Sequence, residues 1–361
     1  MTALRVLVVG CGSMGRSHAR AYRDLEGFEL CGLVSRGPAS REALSRELGG
    51  VATFADAHAA IAALRPDVVS VNTFPDTHAA IASHALEQGA HVFCEKPLAE
   101  TVEQAQALVD LSRRQRRALV VGYILRVHPA WQRFVQEAQR LGKPLVMRMN
   151  LNQQSKGAEW QTHRALMESM SPIVDCGVHY VDVMCQMTQS RPVRVSAIQA
   201  RLSDELPPGR CNYGQLQVTF ACGSVGWYEA GWGPMMSEVA YFVKDVVGPE
   251  GCVSITERDS TGRWGERGSG SADIDSHTKT NSLRVHRAAR NPDGAFARPD
   301  EWIDTHDEPD HDGLCRREQE FLLRAIRGEE DLTEHLDAAV DSLRIVLAAD
   351  RAAREGRTIE L

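Results

Sequence analysis

The feature that most constrains the fold of this chain is a glycine pattern near its start. Leu4–Val9 is a short apolar run rich in valine, which reads as a strand buried on both faces. It leads directly into Gly10-Cys11-Gly12-Ser13-Met14-Gly15, a G-x-G-x-x-G. A helical pattern follows over about 13–25 and a second strand over 29–35. In that strand–turn–helix–strand context each glycine has a task. The first permits the tight turn, the second lets the backbone approach a pyrophosphate, and the third lets the helix pack on the strand. The unpaired N–H groups at the helix start favour the phosphates. Gly10, Gly12, Ser13, Met14 and Gly15 are therefore candidate dinucleotide-binding residues; the alternative is a glycine-rich turn without a ligand.

The second strand ends in Ser35-Arg36. An acidic residue there would hold the ribose 2′-hydroxyl of NAD, and none is present. A hydroxyl beside a guanidinium suits a 2′-phosphate, so NADP(H) is preferred and NAD(H) is second. Ser35 and Arg36 are the expected contacts, with Arg41 as a further candidate. The alternative for Arg36 is a solvated loop residue. The alternation continues with strands at 53–54, 67–72, 91–94 and 118–122, and helices at 40–48, 57–64, 76–88 and 101–114. This predicts an α/β domain over 1–122, a doubly wound parallel Rossmann sheet.

From about Lys143 the pattern changes to clustered strands, at 145–152, 193–202, 213–221, 224–231, 238–247 and 252–257. Consecutive strands predict a mainly antiparallel or mixed sheet, so 123–361 reads as an α+β domain. Two closing helices, near 313–326 and 333–354, are free to pack back on the first domain. The stretch 262–272 is rich in glycine and serine and reads as a flexible loop.

Composition narrows the class. With 361 residues and 43% hydrophobic side chains the chain can bury a large core. Its 41 basic and 48 acidic residues give a net charge of −7, against a nucleic-acid binder. The run Arg113-Arg114-Gln115-Arg116-Arg117 reads as a basic helix end in solvent. No apolar run reaches the roughly 18 residues of a membrane span, and no secretory signal is read at the start. Nine cysteines without a C-x-x-C pair fit a reduced, cytoplasmic protein. The segment His306-Asp307-Glu308-Pro309-Asp310-His311-Asp312 holds ligand-type side chains at no metal-binding spacing, so no metal is expected.

Two constellations carry chemistry. Lys96 follows a strand end, where Rossmann ligands bind, and its ammonium can stabilise negative charge on a reacting oxygen. By itself it is equally a surface lysine. Asp175, His179 and Asp182 are spaced i, i+4, i+7, on one face of a helix opened by Ser171-Pro172. A histidine titrates near neutrality and can pass a proton; an isolated D-x-x-x-H is more often a buried, satisfied histidine.

Four segments together resemble the Gfo/Idh/MocA oxidoreductases: Asn72-Thr73-Phe74-Pro75 with His78, Glu95-Lys96-Pro97, Tyr123-Ile124-Leu125-Arg126-Val127-His128-Pro129-Ala130, and Asp175-Cys176-Gly177-Val178-His179-Tyr180-Val181-Asp182. The likeness runs from Leu4 to about Gln186 and resumes from Asp312. It implies that Thr73, Phe74, His78, Glu95 and Lys96 lie along the cofactor, and that His179 is the acid/base with Asp175 its partner. It also implies that Tyr123 and Arg126 line the substrate pocket; Trp160 is a candidate to stack on a sugar face, or a core aromatic. The implied activity is hydride transfer to or from a hydroxyl or ketone carbon of a sugar, sugar derivative or cyclitol. The implied assembly is a homodimer or homotetramer. An NAD-using glycoside hydrolase and a non-catalytic cofactor-binding sensor are the alternatives. The chain departs from the family's usual glycine-rich turn at Glu168-Ser169-Met170-Ser171-Pro172 and over 259–312.

Overall fold

The computed structural model describes residues 2–236, 243–256 and 277–361. The stretch 262–272 and part of the strand expected from Glu238 lie outside them. The chain divides into two compact units, one of Met1–Val127 with Pro309–Leu343, the other of His128–Glu308 with Arg344–Leu361.

The first unit is built on six parallel strands: β1 (Leu4–Val9), β2 (Phe28–Val34), β3 (Thr53–Phe54), β4 (Val68–Val71), β5 (His91–Cys94) and β6 (Leu119–Val121), in the order β3-β2-β1-β4-β5-β6. The continuous apolar runs are explained by burial, since β4 and β6 are covered along their whole length. The chain moves outward from β1 to β3, then crosses to β4 on the other side of β1. The order therefore reverses between β1 and β4, which pair in register from Val6↔Val68 to Val9↔Val71. That reversal point, at the carboxyl ends of the strands, is where a doubly wound sheet opens a crevice for ligands.

Helix α1 (Ser13–Asp24) packs Ala19 and Tyr22 into a core shared with Val6, Val8, Phe93 and Val120. The later helix His311–Ile326 joins the same core through Leu322 and Leu323. Each fully buried leucine there contributes about 2 kcal/mol. Asp310 starts that helix by accepting from the Gly313 amide at 2.8 Å, which accounts for part of the acidic segment before it.

The second unit is built on nine strands in the order β14-β13-β12-β11-β7-β10-β9-β8-β15. They are β7 (Val146–Gln154), β8 (Pro192–Ala200), β9 (Tyr213–Phe220), β10 (Val225–Gly233), β11 (Lys244–Gly248), β12 (Gly251–Thr256), β13 (Ser282–Arg287), β14 (Glu301–Asp304) and β15 (Ile359–Glu360). All neighbours are antiparallel except β7 and β10, which run parallel. Strands β13, β14 and β15 escape sequence reading because they are short or polar. In β13 only Leu283 and Val285 carry the apolar alternation, and both are fully buried.

One face of this sheet is covered by helix α10 (Gly177–Thr188). Tyr180 stacks on Tyr228 of β10 with ring centroids 4.8 Å apart, and Met184 lies over Gly226. The opposite face carries Val146, Val225, Val247 and Ile198, exposed at 42%, 40%, 41% and 60%.

Candidate active site

In the first unit the glycine turn sits at the switch between β1 and β4. Gly10 has φ +98°, and a Cβ there would stand 2.3 Å from the Asn72 carbonyl oxygen. At Gly15 a Cβ would fall 1.9 Å from the Gly10 carbonyl oxygen, so α1 rests directly on the turn. Gly12 differs: a Cβ there would meet nothing within 4 Å. It is also the N-cap of α1 and brings no side-chain hydrogen bond to the first amides. Open space at an uncapped helix start fits a pyrophosphate held by backbone N–H groups. Cys11 faces inward, its thiol pushed up to about 11 by burial against the opposing charge of Arg41.

The turn after β2 is organised by Arg41. Its Nη1 donates to the carbonyls of Ser35 at 2.8 Å and Arg36 at 3.1 Å, while the Ser35 and Ser40 hydroxyls lie 3.2 Å apart. Arg36 is exposed. The turn thus presents one guanidinium to solvent and uses the other to hold its backbone.

Two further turns flank the crevice. Thr73-Phe74 follows β4, with the Thr77 hydroxyl donating to Thr73 Oγ1 at 2.6 Å and Phe74 49% exposed. Glu95-Lys96-Pro97 follows β5. His78, fully buried, ties these turns together: its Nδ1 lies 2.8 Å from the Pro97 carbonyl oxygen and its Nε2 3.0 Å from that of Thr73. Burial pushes the His78 pKa down, against the pull of both carbonyls. His78 therefore joins the two turns from behind.

The Glu95 carboxylate also points inward. Its Oε1 pairs with His18 Nε2 at 2.8 Å, and its Oε2 accepts from the Lys96 amide at 3.2 Å. Lys96, next in sequence, is half-buried. Tyr123 is buried, its hydroxyl 2.6 Å from Ser342 Oγ, and the half-buried Arg126 lies 5.7 Å from the centre of its ring. Burial beside the Arg126 charge drives His335 down to about 3, which leaves its Nε2 free to accept from the Val121 amide at 2.9 Å.

The second unit carries Trp160, Asp175 and His179. Ser171 caps the short helix α9 (Pro172–Asp175), accepting from the Val174 amide at 3.3 Å with Pro172 at the first position. Ser171 also donates to Asp350 Oδ1 at 2.6 Å, so the turn at 168–172 is anchored without glycine.

The single helical face expected for Asp175, His179 and Asp182 is interrupted. Asp175 ends α9, and α10 starts at Gly177, where a Cβ would stand 3.0 Å from the Tyr228 ring. Asp175 and His179 are half-buried while Val174, Cys176, Val178 and Tyr180 around them are buried. Asp182 is 1% exposed and accepts from Gln186 Nε2 at 2.9 Å, which makes it an interior residue. Trp160 is 6% exposed, with its indole N–H donated to Glu205 at 3.1 Å.

The structure adds residues that no motif announced. His163, on helix α8 (Gly157–Met167), stacks on Trp232 with centroids 4.5 Å apart. Burial pushes it down to about 4, with the Asp175 charge opposing that shift and His277 reinforcing it. Gln153, paired in register with Trp232, has its amide nitrogen 3.0 Å from the His277 ring. Gln153, His163, His277 and Asp175 therefore form one polar group on the helix-covered side of the sheet. The only local signal for it was a glutamine following the apolar positions Met147, Met149 and Leu151 of β7.

The family comparisons agree with this layout. Residues 4–123 match the profile described as the oxidoreductase family with NAD-binding Rossmann fold, and residues 133–251 match the Gfo/Idh/MocA C-terminal domain. D-glucoside 3-dehydrogenase of Escherichia coli (strain K12) is 29% identical over 184 residues, 50% of this chain and 52% of that one. UDP-N-acetylglucosamine 3-dehydrogenase of Acidithiobacillus ferrooxidans is 30% identical over 198 residues, 55% of this chain and 58% of that one. The chain thus spans a little over half the length of these curated relatives. A solved structure of UDP-N-acetylglucosamine 3-dehydrogenase from the same organism has the same fold, with TM-score 0.75 and 22% identity over 98% of this chain and 99% of that one. So does scyllo-inositol dehydrogenase from Lactobacillus casei with bound NAD(H) and scyllo-inositol, with TM-score 0.75 and 17% identity over 99% of both chains. With a Rossmann turn open at Gly12, Lys96 at the end of β5 and both domain profiles matched in order, this chain belongs to the Gfo/Idh/MocA oxidoreductase family.

Proposed function

We propose that this protein is a dehydrogenase or reductase acting on a CH–OH or ketone carbon of a sugar, sugar derivative or cyclitol, with NADP(H) preferred over NAD(H). The nicotinamide cofactor, when bound, supplies or accepts the hydride. Gly12 and the first turn of α1 hold its pyrophosphate, and Arg36 with Ser35 meets its 2′-phosphate. Thr73 and Phe74 flank it on the neighbouring turn.

The observation that carries the reading is the placing of Lys96. It lies two residues past a fully buried strand end, in a turn whose backbone is held by His78 and by the inward carboxylate of Glu95. A lysine so held presents a positive charge that binds the reacting oxygen and stabilises negative charge developing on it. His179 takes the hydroxyl proton in oxidation and returns it in reduction. Asp175 orients that imidazole or binds a neighbouring hydroxyl. Tyr123 and Arg126 are further substrate contacts, and Trp160 is a candidate to stack on a sugar face. The relatives that act on glucosides, on UDP-N-acetylglucosamine and on inositol support a polyhydroxylated substrate. The exposed aliphatic side chains Val146, Val225 and Val247, neighbours across three strands of the nine-stranded sheet, with Ile198 on the same face, support a homodimer or homotetramer.

The test is to follow nicotinamide absorbance with purified protein, NADP⁺ or NAD⁺, and pools of sugars, glycosides, nucleotide sugars and cyclitols. The reverse direction uses NADPH or NADH with keto-sugars. Turnover in one pool, faster with NADP(H), is the expected result. Tightly bound cofactor with cleavage of a glycoside and no net turnover would replace this reading with that of a hydrolase.

A further inference from the structure

Behind the Lys96 turn, inside the first unit, lies a buried group of side chains that the proposed chemistry does not use. His18 of α1 and Cys315 of the helix His311–Ile326 are fully buried, and Glu318, one turn beyond Cys315, is 3% exposed. One ligand atom from each of His18, Cys315 and Glu318 lies within 4.8 Å of the other two. Neither oxygen of the Glu318 carboxylate has a hydrogen-bond partner among the described residues. A buried carboxylate with no donor is costly, by several kcal/mol if ionised. Something must neutralise it.

The histidine is arranged as metal-binding histidines are. Gln319 Nε2 donates to His18 Nδ1 at 2.9 Å, which makes Nδ1 the lone-pair nitrogen. The opposite nitrogen, Nε2–H, then donates to Glu95 at 2.8 Å. A carboxylate on the far side of the ring fixes the tautomer and raises the basicity of the free nitrogen. A metal ion on that nitrogen takes the place of the Gln319 amide.

We propose that His18, Cys315 and Glu318 form a structural site for a divalent transition metal of the zinc class, which clamps the helix His311–Ile326 to α1. Imidazole, thiolate and carboxylate are a borderline-soft set that suits zinc; the three leave one tetrahedral position, which a solvent molecule carried in with the ion fills. One thiolate and one carboxylate also balance a doubly charged ion, so the filled site is neutral. Binding releases the Cys315 thiol proton and any proton held by Glu318 to solvent. Without the ion, burial and the nearby Glu95 charge push the Glu318 carboxyl far above the usual carboxylate range, and burial raises the Cys315 thiol.

The experiment uses the full chain with any affinity tag removed. Protein expressed with added zinc and then desalted is assayed for metal by mass spectrometry. Chelator-stripped protein is then titrated with Co²⁺ and its absorption spectrum recorded. The expected result is about one zinc per chain and, with cobalt, a thiolate-to-metal charge-transfer band. Cys315→Ser should abolish that band, and Glu318→Gln should weaken metal retention at least about tenfold. Should Cys315→Ser not fold, the comparison rests on Glu318→Gln. The proposal is overturned if stripped wild-type protein takes up neither ion stoichiometrically, if cobalt binds without a thiolate band, or if the variants bind as wild type does.

Discussion

Gly10 and Asn72 touch across the point where the parallel sheet reverses its strand order: a Cβ on Gly10 would stand 2.3 Å from the Asn72 carbonyl oxygen. Two residues on, Gly12 faces open space. The two glycines should therefore fail differently. Gly10→Ala combines a positive φ with a backbone collision and should cost more than about 1 kcal/mol. Thermal unfolding measures it. Gly12→Ala should change stability by less than about 0.5 kcal/mol yet weaken nicotinamide nucleotide binding in a fluorescence titration. Equal binding in Gly12→Ala and wild type would remove the pyrophosphate from this turn.

Lys96→Ala should abolish turnover while cofactor affinity stays within about threefold of wild type. The prediction follows from a role confined to charge developing on the reacting oxygen, where loss of one such donor costs about a hundredfold or more in kcat. Substantial activity in the variant would refute that role.

Arg36→Ala discriminates the cofactor argument. An exposed guanidinium that meets a 2′-phosphate makes a charge-assisted hydrogen bond that NADH cannot make. Its loss should weaken NADPH about tenfold and leave NADH nearly unchanged. Parallel titrations of both cofactors read the difference directly; equal effects on both would reduce Arg36 to a solvated loop residue.

Acid should weaken the fold through one buried and two half-buried histidines. His335 is driven down to about 3, and His91 and His163 to about 4, chiefly by burial, from an ordinary value of 6.5. Each is depressed in the folded state, so the unfolded chain binds protons that the native chain refuses. Their stabilising contribution is present above pH ~6.5 and declines as pH falls toward the folded values, at up to about 1.4 kcal/mol per pH unit for each histidine. Denaturant melts between pH 7 and 4 should show this slope. His335→Gln, which keeps an acceptor for the Val121 amide, should flatten it.

Ile198 is the most exposed of the aliphatic side chains on the open sheet face, at 60%. Ile198→Asp should shift the protein to a smaller species in light scattering, with the unfolding temperature of the resulting protomer still cooperative. An unchanged mass would place the assembly contact elsewhere.

Local stereochemistry explains what was legible in the sequence. The strand, turn and helix from Leu4 to Asp24 depend on residues in immediate succession, so glycine placement and apolar spacing suffice to read them. Helix α3 (Ala57–Leu64) has the bounds expected of it, because Asp56 caps its first turn through the Ala59 amide at 2.8 Å. The alternation of strands and helices likewise implied a parallel sheet. Tertiary structure alone decided the rest. Asp175 and His179 fall on either side of a one-residue break at Cys176, and Gly177 beyond it lies close against the Tyr228 ring, a residue of another element. His163 acquires its depressed pKa from burial against Trp232 and from the charge of His277, with Asp175 opposing, and all three are brought to it by the fold. Gln319 meets His18 across 301 positions. Periodicity records which face of an element is buried; it carries no record of which distant side chain will be buried against it, and the polar chemistry of this protein is made of such meetings.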